Sequence, residues 1–304
     1  MTKKELRIVF MGTPEFAVSS LKILVEHNYN IVGVITAPDK KSGRGQKVNM
    51  SAVKEYALSQ DLNILQPTNL KSPEFIDELT ALNANLQIVV AFRMLPEVVW
   101  NMPEIGTFNL HGSLLPQYRG AAPINWAIIN GEQETGVTTF FLKHEIDTGD
   151  LILQDKEPIH FEDNVGDVYH RLMHKGAQLV LKTVQQIEDG KVDSTPQRND
   201  IEIKHAPKIF KETCQIDWSK TAKANYDFIR GLSPYPCAWT KIKEKTLKVY
   251  KASISDEEVN EPIVSDGKTF LKFACSDVYL SLEEVQLEGK KRMGIEEFLR
   301  GYRL

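Results

Sequence analysis

The chain has 304 residues, 42% hydrophobic and 26% charged, with 18 Gly and 14 Pro. At roughly 100–200 residues per domain, this length predicts two domains or one large one. The near-average apolar share argues against a disordered, collagen-like or coiled-coil protein.

Net charge is −4 but unevenly spread: from residue 207 onward, 17 Lys+Arg face 15 Asp+Glu, a mildly basic tail on an acidic body. Apolar runs such as Leu86–Phe92 fall well short of the ~20 residues of a membrane span. Charged Met1–Arg7 leads into the brief apolar run Ile8–Met11, and a signal-peptide core needs ~7–15 residues. The expectation is a cytoplasmic protein with no membrane association. Cys214, Cys237 and Cys275 are odd in number, widely spaced and without a CxxC pair. They predict reduced thiols rather than a disulfide framework or a zinc site.

In chain order, Leu6–Phe10 is a short apolar run ended by Gly12-Thr13-Pro14, followed at helical spacing by Phe16, Ser19, Ser20, Ile23 and Leu24. Asn30–Thr36 is continuous and β-branched, as a strand buried on both faces should be. Leu62–Leu65 and Leu86–Phe92 repeat that pattern around a helix over Pro73–Leu82. Strands alternating with helices predict an α/β architecture with a Rossmann-like, mostly parallel sheet. Gly106–Leu110 is the next strand, ending at His111-Gly112-Ser113. Gly136–Leu142 and Leu151–Ile159 are further strands joined by the turn Asp147–Asp150. An apolar stripe from Val165 to Ile187 predicts a long helix stopped at Gly190.

Polar, Pro-containing Lys191–Ala206 reads as a linker. Beyond it come a short helix over Ala222–Gly231 and a turn at Ser233–Pro236. Short alternating strands follow near Ala238–Ile242, Thr246–Ile254, Thr269–Phe273 and Val278–Leu287, predicting a small OB-like β-barrel. The expected organisation is an α/β domain over 1–190, a linker over 191–206 and a barrel domain over 207–304.

Gly12-Thr13-Pro14 lacks the spaced glycines and the acidic ribose cap of a dinucleotide site. Asn109 and His111 are stronger candidates. Two apart in a strand, they point to one face, at the carboxyl end of an inner strand, where open α/β sheets hold ligands. An Asn amide suits a developing oxyanion, and a His exchanges protons near neutral pH. Asp147, in the turn after the next strand, is the best placed carboxylate to orient the His. On the pattern alone, a satisfied core histidine, a turn Asn and a solvated Asp remain open. No HxxxH or Cys/His cluster stands at metal-ligand spacing, so no metal is expected.

The surroundings carry a longer match. Asn109–Pro116 (NLHGSLLP) and Tyr118–Ile124 (YRGAAPI) stand with Glu134–Thr138 (ETGVT), Asp147–Asp150 (DTGD) and Phe10–Ala17 (FMGTPEFA). Together they resemble the signature blocks of folate-dependent formyltransferases. The basic loop Pro38–Lys47 and the tail blocks Ile216–Trp218, Pro234–Trp239 and Val285–Met293 are similar to members acting on methionyl-tRNA, so the resemblance covers nearly the whole chain.

It implies formyl transfer from 10-formyltetrahydrofolate, as cosubstrate and without a metal, to the α-amino group of methionine on initiator tRNA, for translation initiation. It implies catalytic roles for Asn109, His111 and Asp147, and a folate site lined by Ser113, Leu114, Leu115 and Pro116. Arg44, with Lys40, Lys41 and Lys47, is implied to meet the acceptor stem, and Lys290–Arg292 the tRNA flank. The implied partners are the tRNA and the folate, with no obligatory protein partner.

The chain departs from the family pattern at three points. Ala91–Pro96 (AFRMLP) stands where a Tyr-Gly pair before Ile-Leu-Pro is usual, the tail lacks the usual Pro-Gly-Thr-Ile entry, and Phe273–Asp277 replaces a Gly-Asp-Gly turn. The alternatives are an amino-sugar nucleotide formyltransferase, a 10-formyltetrahydrofolate hydrolase and a non-catalytic RNA-binding protein on this scaffold. The basic loop and the match over 118–125 favour the tRNA reading.

Overall fold

The computed structural model describes residues 1–42 and 47–303, and only the backbone of 41, 42, 47 and 48. The chain opens with β1 (Arg7–Gly12), α1 (Glu15–Glu26), β2 (Asn30–Ile35) and the short strands β3 (Lys40–Ser42) and β4 (Lys47–Asn49). Next come α2 (Ala52–Ser59), β5 (Ile64–Leu65), α3 (Pro73–Ala81), β6 (Leu86–Val90), α4 (Glu97–Trp100) and β7 (Gly106–His111). Then follow β8 (Arg119–Gly120), α5 (Pro123–Ile129), β9 (Glu134–Phe141), β10 (Leu151–Pro158) and α6 (Val165–Glu188).

One sheet runs β10-β9-β7-β6-β1-β2-β5. Its members β5, β2, β1, β6 and β7 are mutually parallel, and β9 is antiparallel to β7. β6 is buried at every position and β1 at all but its first, as central strands covered on both faces are; Gln87 is the one polar residue buried in β6. Leu110 packs its Cδ2 where a Cβ on Gly176 of α6 would lie, 2.7 Å away. Alternation therefore directs Phe108 and Leu110 to the α6 side of β7 and sends Asn109 and His111 to the opposite face.

After α6 come β11 (His205–Ala206) and a 3-10 turn at Glu212–Cys214. The tail then holds α7 (Ala222–Leu232), β12 (Ala238–Ile242), β13 (Lys245–Glu258), β14 (Ile263–Ser265), β15 (Leu271–Ala274), β16 (Val278–Leu287), β17 (Met293–Gly294) and α8 (Ile295–Gly301). These strands pair antiparallel in the order β12-β13-β16-β15-β14, with β17 on β16. Three register shifts along β13 bend this long strand, as bulges do. Tyr226, Ile229 and Leu232 of α7 close the core with Leu247, Val249, Leu280 and Leu282, beside a stack of Trp218 on Phe273 at 4.5 Å.

Two compact units result. The first comprises Met1–Arg119, Gly136–Glu157 and His170–Lys204; the second comprises Gly120–Thr135, Pro158–Tyr169 and His205–Leu304. In the second unit α5 lies on α7 at a glycine: a Cβ on Gly231 would fall 2.7 Å from Ile129 Cγ1, and Asn125 Nδ2 donates to the Gly231 carbonyl at 2.8 Å.

The polar segment 191–204 has no helix of its own, but it is not a loose tether. Thr195 and Leu151 exchange both backbone hydrogen bonds, at 2.8 and 2.9 Å. Among the described residues no helix is long and apolar enough to cross a membrane.

Candidate active site

The registers of β7 and β9 decide what surrounds the two candidate side chains. Asn109 is opposite Phe140 and His111 opposite Thr138, and directly opposed residues share a face. Phe140 meets the His111 ring edge-on, at 6.5 Å between centroids. Asn109 is half-buried, and its side-chain amide has no hydrogen-bond partner among the described residues.

His111 is buried, and its Nε2 is 2.8 Å from the Tyr118 carbonyl oxygen. A carbonyl only accepts, so Nε2 carries the proton and donates. The other nitrogen, Nδ1, faces Asp147 Oδ2 at 3.9 Å. That gap is too long for a hydrogen bond and short enough for charge pairing if the ring becomes protonated. The nearer orienting group for the imidazole is thus a main-chain carbonyl.

Asp147 is only 14% exposed at its side chain and has φ 55°, in the left-handed region. Its turn is closed by Phe141 N–H donating to the Asp150 carbonyl at 3.0 Å and by a Lys143–Asp150 pair at 2.7 Å.

The segment Ser113–Pro116, which contains a cis Leu115–Pro116 bond, is held mostly by uncharged side chains. Thr138 Oγ1 donates to the Ser113 carbonyl at 2.6 Å and accepts from Leu115 N–H at 3.2 Å. Gln154 Nε2 donates to the Leu115 carbonyl at 2.8 Å and to Thr138 Oγ1 at 3.0 Å. Ser113 Oγ donates to the Gln117 carbonyl at 2.6 Å, and Gln117 N–H to the Leu114 carbonyl at 3.1 Å. The loop is therefore pre-formed, and each of these carbonyls keeps a second lone pair for a ligand.

Arg44 lies outside the described residues, and the side chains of Lys41 and Lys47 are likewise not described. Lys40 is exposed at the start of the antiparallel β3–β4 pair. At its foot Asp39 accepts from Lys54 at 2.6 Å and Gln66 at 2.9 Å, and these bonds hold its carboxyl below the usual carboxylate range. In the departing segment, Arg93 donates to the Thr68 carbonyl at 3.0 Å and to the Pro67 carbonyl. Leu95 is buried while Met94 is 73% exposed. In the second unit Lys290 and Lys291 are exposed, and Arg292 is bidentate on Glu284 at 2.7 and 2.5 Å.

The structure thus brings Asn109, His111 and Asp147 to one end of the parallel sheet. Sequence reasoning assigned no role to Tyr118, Arg119 and Gln197, which brace His111 and Asp147, or to Thr138 and Gln154, which hold the Ser113–Pro116 loop. Tyr118, Arg119 and Thr138 stand inside the motif blocks, which is the one signal available for them; Gln154 and Gln197 stand outside the blocks, and neutral polar residues carry no periodicity.

The chain matches the formyl transferase family over residues 6–184 and the formyl transferase C-terminal domain over 208–303. It is 56% identical over 315 residues to a methionyl-tRNA formyltransferase of Bacteroides fragilis, covering 100% of this chain and 97% of that one. It is 54% identical over 306 residues to that of Flavobacterium johnsoniae, with 98% and 96% covered. Among solved structures, the sugar 3N-formyl transferase WlaRD, with dTDP and 5-N-formyl-THF, shares the fold at TM-score 0.68 and 22% identity, covering 94% of this chain and 99% of that one. HypX from Aquifex aeolicus, in complex with tetrahydrofolic acid, does so at 0.66 and 19%; 96% of this chain matches, spanning 46% of HypX. With the N- and C-terminal parts matched in order and relatives similar nearly end to end, the chain belongs to the formyl transferase family and, within it, to the methionyl-tRNA formyltransferases.

Proposed function

We propose that the protein transfers the formyl group of 10-formyltetrahydrofolate to the α-amino group of methionine on initiator tRNA, in the cytoplasm, for translation initiation. The observation that carries the chemistry is the pair on β7. The Asn109 amide has no partner among the described residues, and beside it His111 is fixed by the Tyr118 carbonyl with Nδ1 turned toward Asp147. Full-length identity of 54–56% to methionyl-tRNA formyltransferases supports the acceptor.

In this reading Asn109 donates to the formyl oxygen as negative charge develops there during attack by the amine. His111, protonated on Nε2, accepts at Nδ1 the proton the amine loses, and Asp147 stabilises the resulting imidazolium; as the tetrahedral intermediate collapses, the bond from the formyl carbon to N10 breaks, N10 takes up that proton and tetrahydrofolate leaves. Ser113–Pro116 line the folate site. Lys40, Lys41, Arg44 and Lys47 meet acceptor-stem phosphates, an attraction that weakens as salt rises. Residues 1–190 carry the chemistry, 191–206 connect, and 207–304, with Lys290–Arg292, face the tRNA flank.

The test is a formyl-transfer assay with charged initiator methionyl-tRNA and 10-formyltetrahydrofolate, run beside Asn109→Ala and beside an amino-sugar nucleotide as acceptor. Formylmethionyl-tRNA is expected, with turnover lowered on the order of 100–1,000-fold in the variant, the usual cost of one oxyanion donor. Formylation of the sugar nucleotide alone overturns the acceptor, and near-full activity of Asn109→Ala overturns the site.

A further inference from the structure

We propose that Gln197 is a positioning residue that sets the spacing between His111 and Asp147, an inference that rests on the catalytic reading above. Gln197 touches neither side chain. The residue is only 7% exposed, and both ends of its amide are fully used. Nε2 donates to the Asp147 carbonyl at 2.8 Å and to the Gly149 carbonyl at 2.8 Å, while Oε1 accepts from Arg119 Nε at 3.1 Å and Nη2 at 2.7 Å.

Arg119 directly follows Tyr118, whose carbonyl holds His111 Nε2. One amide therefore ties the two backbone segments that flank the imidazole: the one that orients it and the one that carries its carboxylate. The path His111–Tyr118–Arg119–Gln197–Asp147 closes across the 3.9 Å between Nδ1 and Oδ2.

The surrounding chain is arranged to hold that amide still. Thr195 is locked to Leu151 by two backbone hydrogen bonds. Further along, Lys204 N–H donates to Gln117 Oε1 at 2.8 Å, Gln117 Nε2 donates to the Glu202 carbonyl at 2.9 Å, and Tyr118 N–H donates to the Lys204 carbonyl at 2.6 Å. Residues 195–204 are thus a strap laid along both segments.

Asp147 and Tyr118 both have positive φ, 55° and 61°. For non-glycine residues that conformation persists only where the surroundings enforce it. No other side chain reproduces the pattern, because two donors at one end and a double acceptor at the other are the property of a primary amide. Glu would oppose two carbonyls, and Asn is a methylene short.

The test uses the full chain with steady-state kinetics for donor and acceptor and a thermal melt on every variant: Gln197→Met, Gln197→Glu, Arg119→Met, Arg119→Lys and the Gln197→Met/Arg119→Met double. A misplacement of about 1 Å between catalytic groups costs on the order of 100-fold. The expected result is a kcat fall of about that size in Gln197→Met and Gln197→Glu, with both KM values within about threefold. Arg119→Met is expected to fall similarly, with partial recovery in Arg119→Lys, which keeps one charged donor. The double variant is expected to cost no more than the worse single one, as members of one chain of contacts do.

Unchanged kcat in folded variants, a KM effect without a kcat effect, or a drop in melting temperature alone each overturns the proposal. If the Gln197 variants do not fold, the two Arg119 variants decide it by the same split. If the parent formylates a different acceptor, the acceptor assignment falls, and the same comparison on that acceptor still decides the role of Gln197.

Discussion

Gly149 and Phe141 approach so closely that a Cβ on Gly149 would lie 1.6 Å from the Phe141 carbonyl oxygen and 2.8 Å from its carbon. The obstacle is backbone of β9, which cannot swing aside as a side chain can. This contact allows the Asp147–Asp150 turn to fold back against the sheet end, where His111 stands.

Gly149→Ala is therefore expected to displace the turn. It should lower stability by about 1–3 kcal/mol, the usual cost of overpacking, and reduce formyl transfer with it. Gly301→Ala, where nothing lies within 4 Å, is the matched control and should melt within about 1 °C of the parent, since surface changes of this kind stay small. Thermal melts and turnover on the two variants check the contrast.

Thr138→Val keeps the shape of the side chain but removes a hydroxyl that serves the Ser113 carbonyl, the Leu115 N–H and Gln154 at once. Buried groups left without partners cost about 1–3 kcal/mol. The variant should lose that stability and bind the folate donor more weakly, while Thr138→Ser retains most of both. Donor titration with the two variants separates the hydroxyl from the methyl.

The start of α7 is capped from another element. Asp277 Oδ1 accepts from Ala222 N–H at 2.7 Å and from Val278 N–H at 2.9 Å. The Ala222 bond is the chief reason its carboxyl sits below the ordinary value. A carboxyl depressed in the folded state adds stability that is fully present above the unfolded pKa, near 4, and disappears as pH falls through the lower folded value. The stability gap between the parent and Asp277→Ala should thus be widest above about pH 5 and narrow on acidification. Urea melts at a series of pH values measure it, and a gap independent of pH would contradict the assignment.

Cys214, Cys237 and Cys275 are all free and buried. Loss of solvent raises each thiol, Cys237 to about 11. At pH 8 such a group holds on the order of one part in a thousand as thiolate, the reactive form. A disulfide reagent should therefore react slowly with the native protein and modify all three positions in denaturant. Rapid modification of native Cys237 would show that its cover opens readily.

Local patterning made much of this molecule legible. The strand at Ala238–Ile242 and that at Val278–Leu287 fall where alternation places them, and the parallel-strand runs lie where continuous β-branched residues stand. The shared face of Asn109 and His111 follows from the period of a strand and needs nothing further. Other elements were not visible. The helix Ile295–Gly301 has only two buried residues, Phe298 and Leu299, too few to print a stripe. The strand Ile263–Ser265 is three residues long.

What the sequence by itself determined is the order and type of the main elements, the face on which Asn109 and His111 emerge, and, through its motif blocks, the family. Only the tertiary structure decided what fixes those groups. The Tyr118 carbonyl orients His111, Thr138 and Gln154 hold the Ser113–Pro116 loop, and Gln197 reaches Asp147 across 50 residues of chain from a segment that reads as a linker. The reason is physical. Apolar burial repeats with the geometry of its own helix or strand, so it leaves a periodic trace. A buried amide or hydroxyl is satisfied by whichever backbone group the folded chain brings within 3 Å, and that partner leaves no mark in the residues on either side.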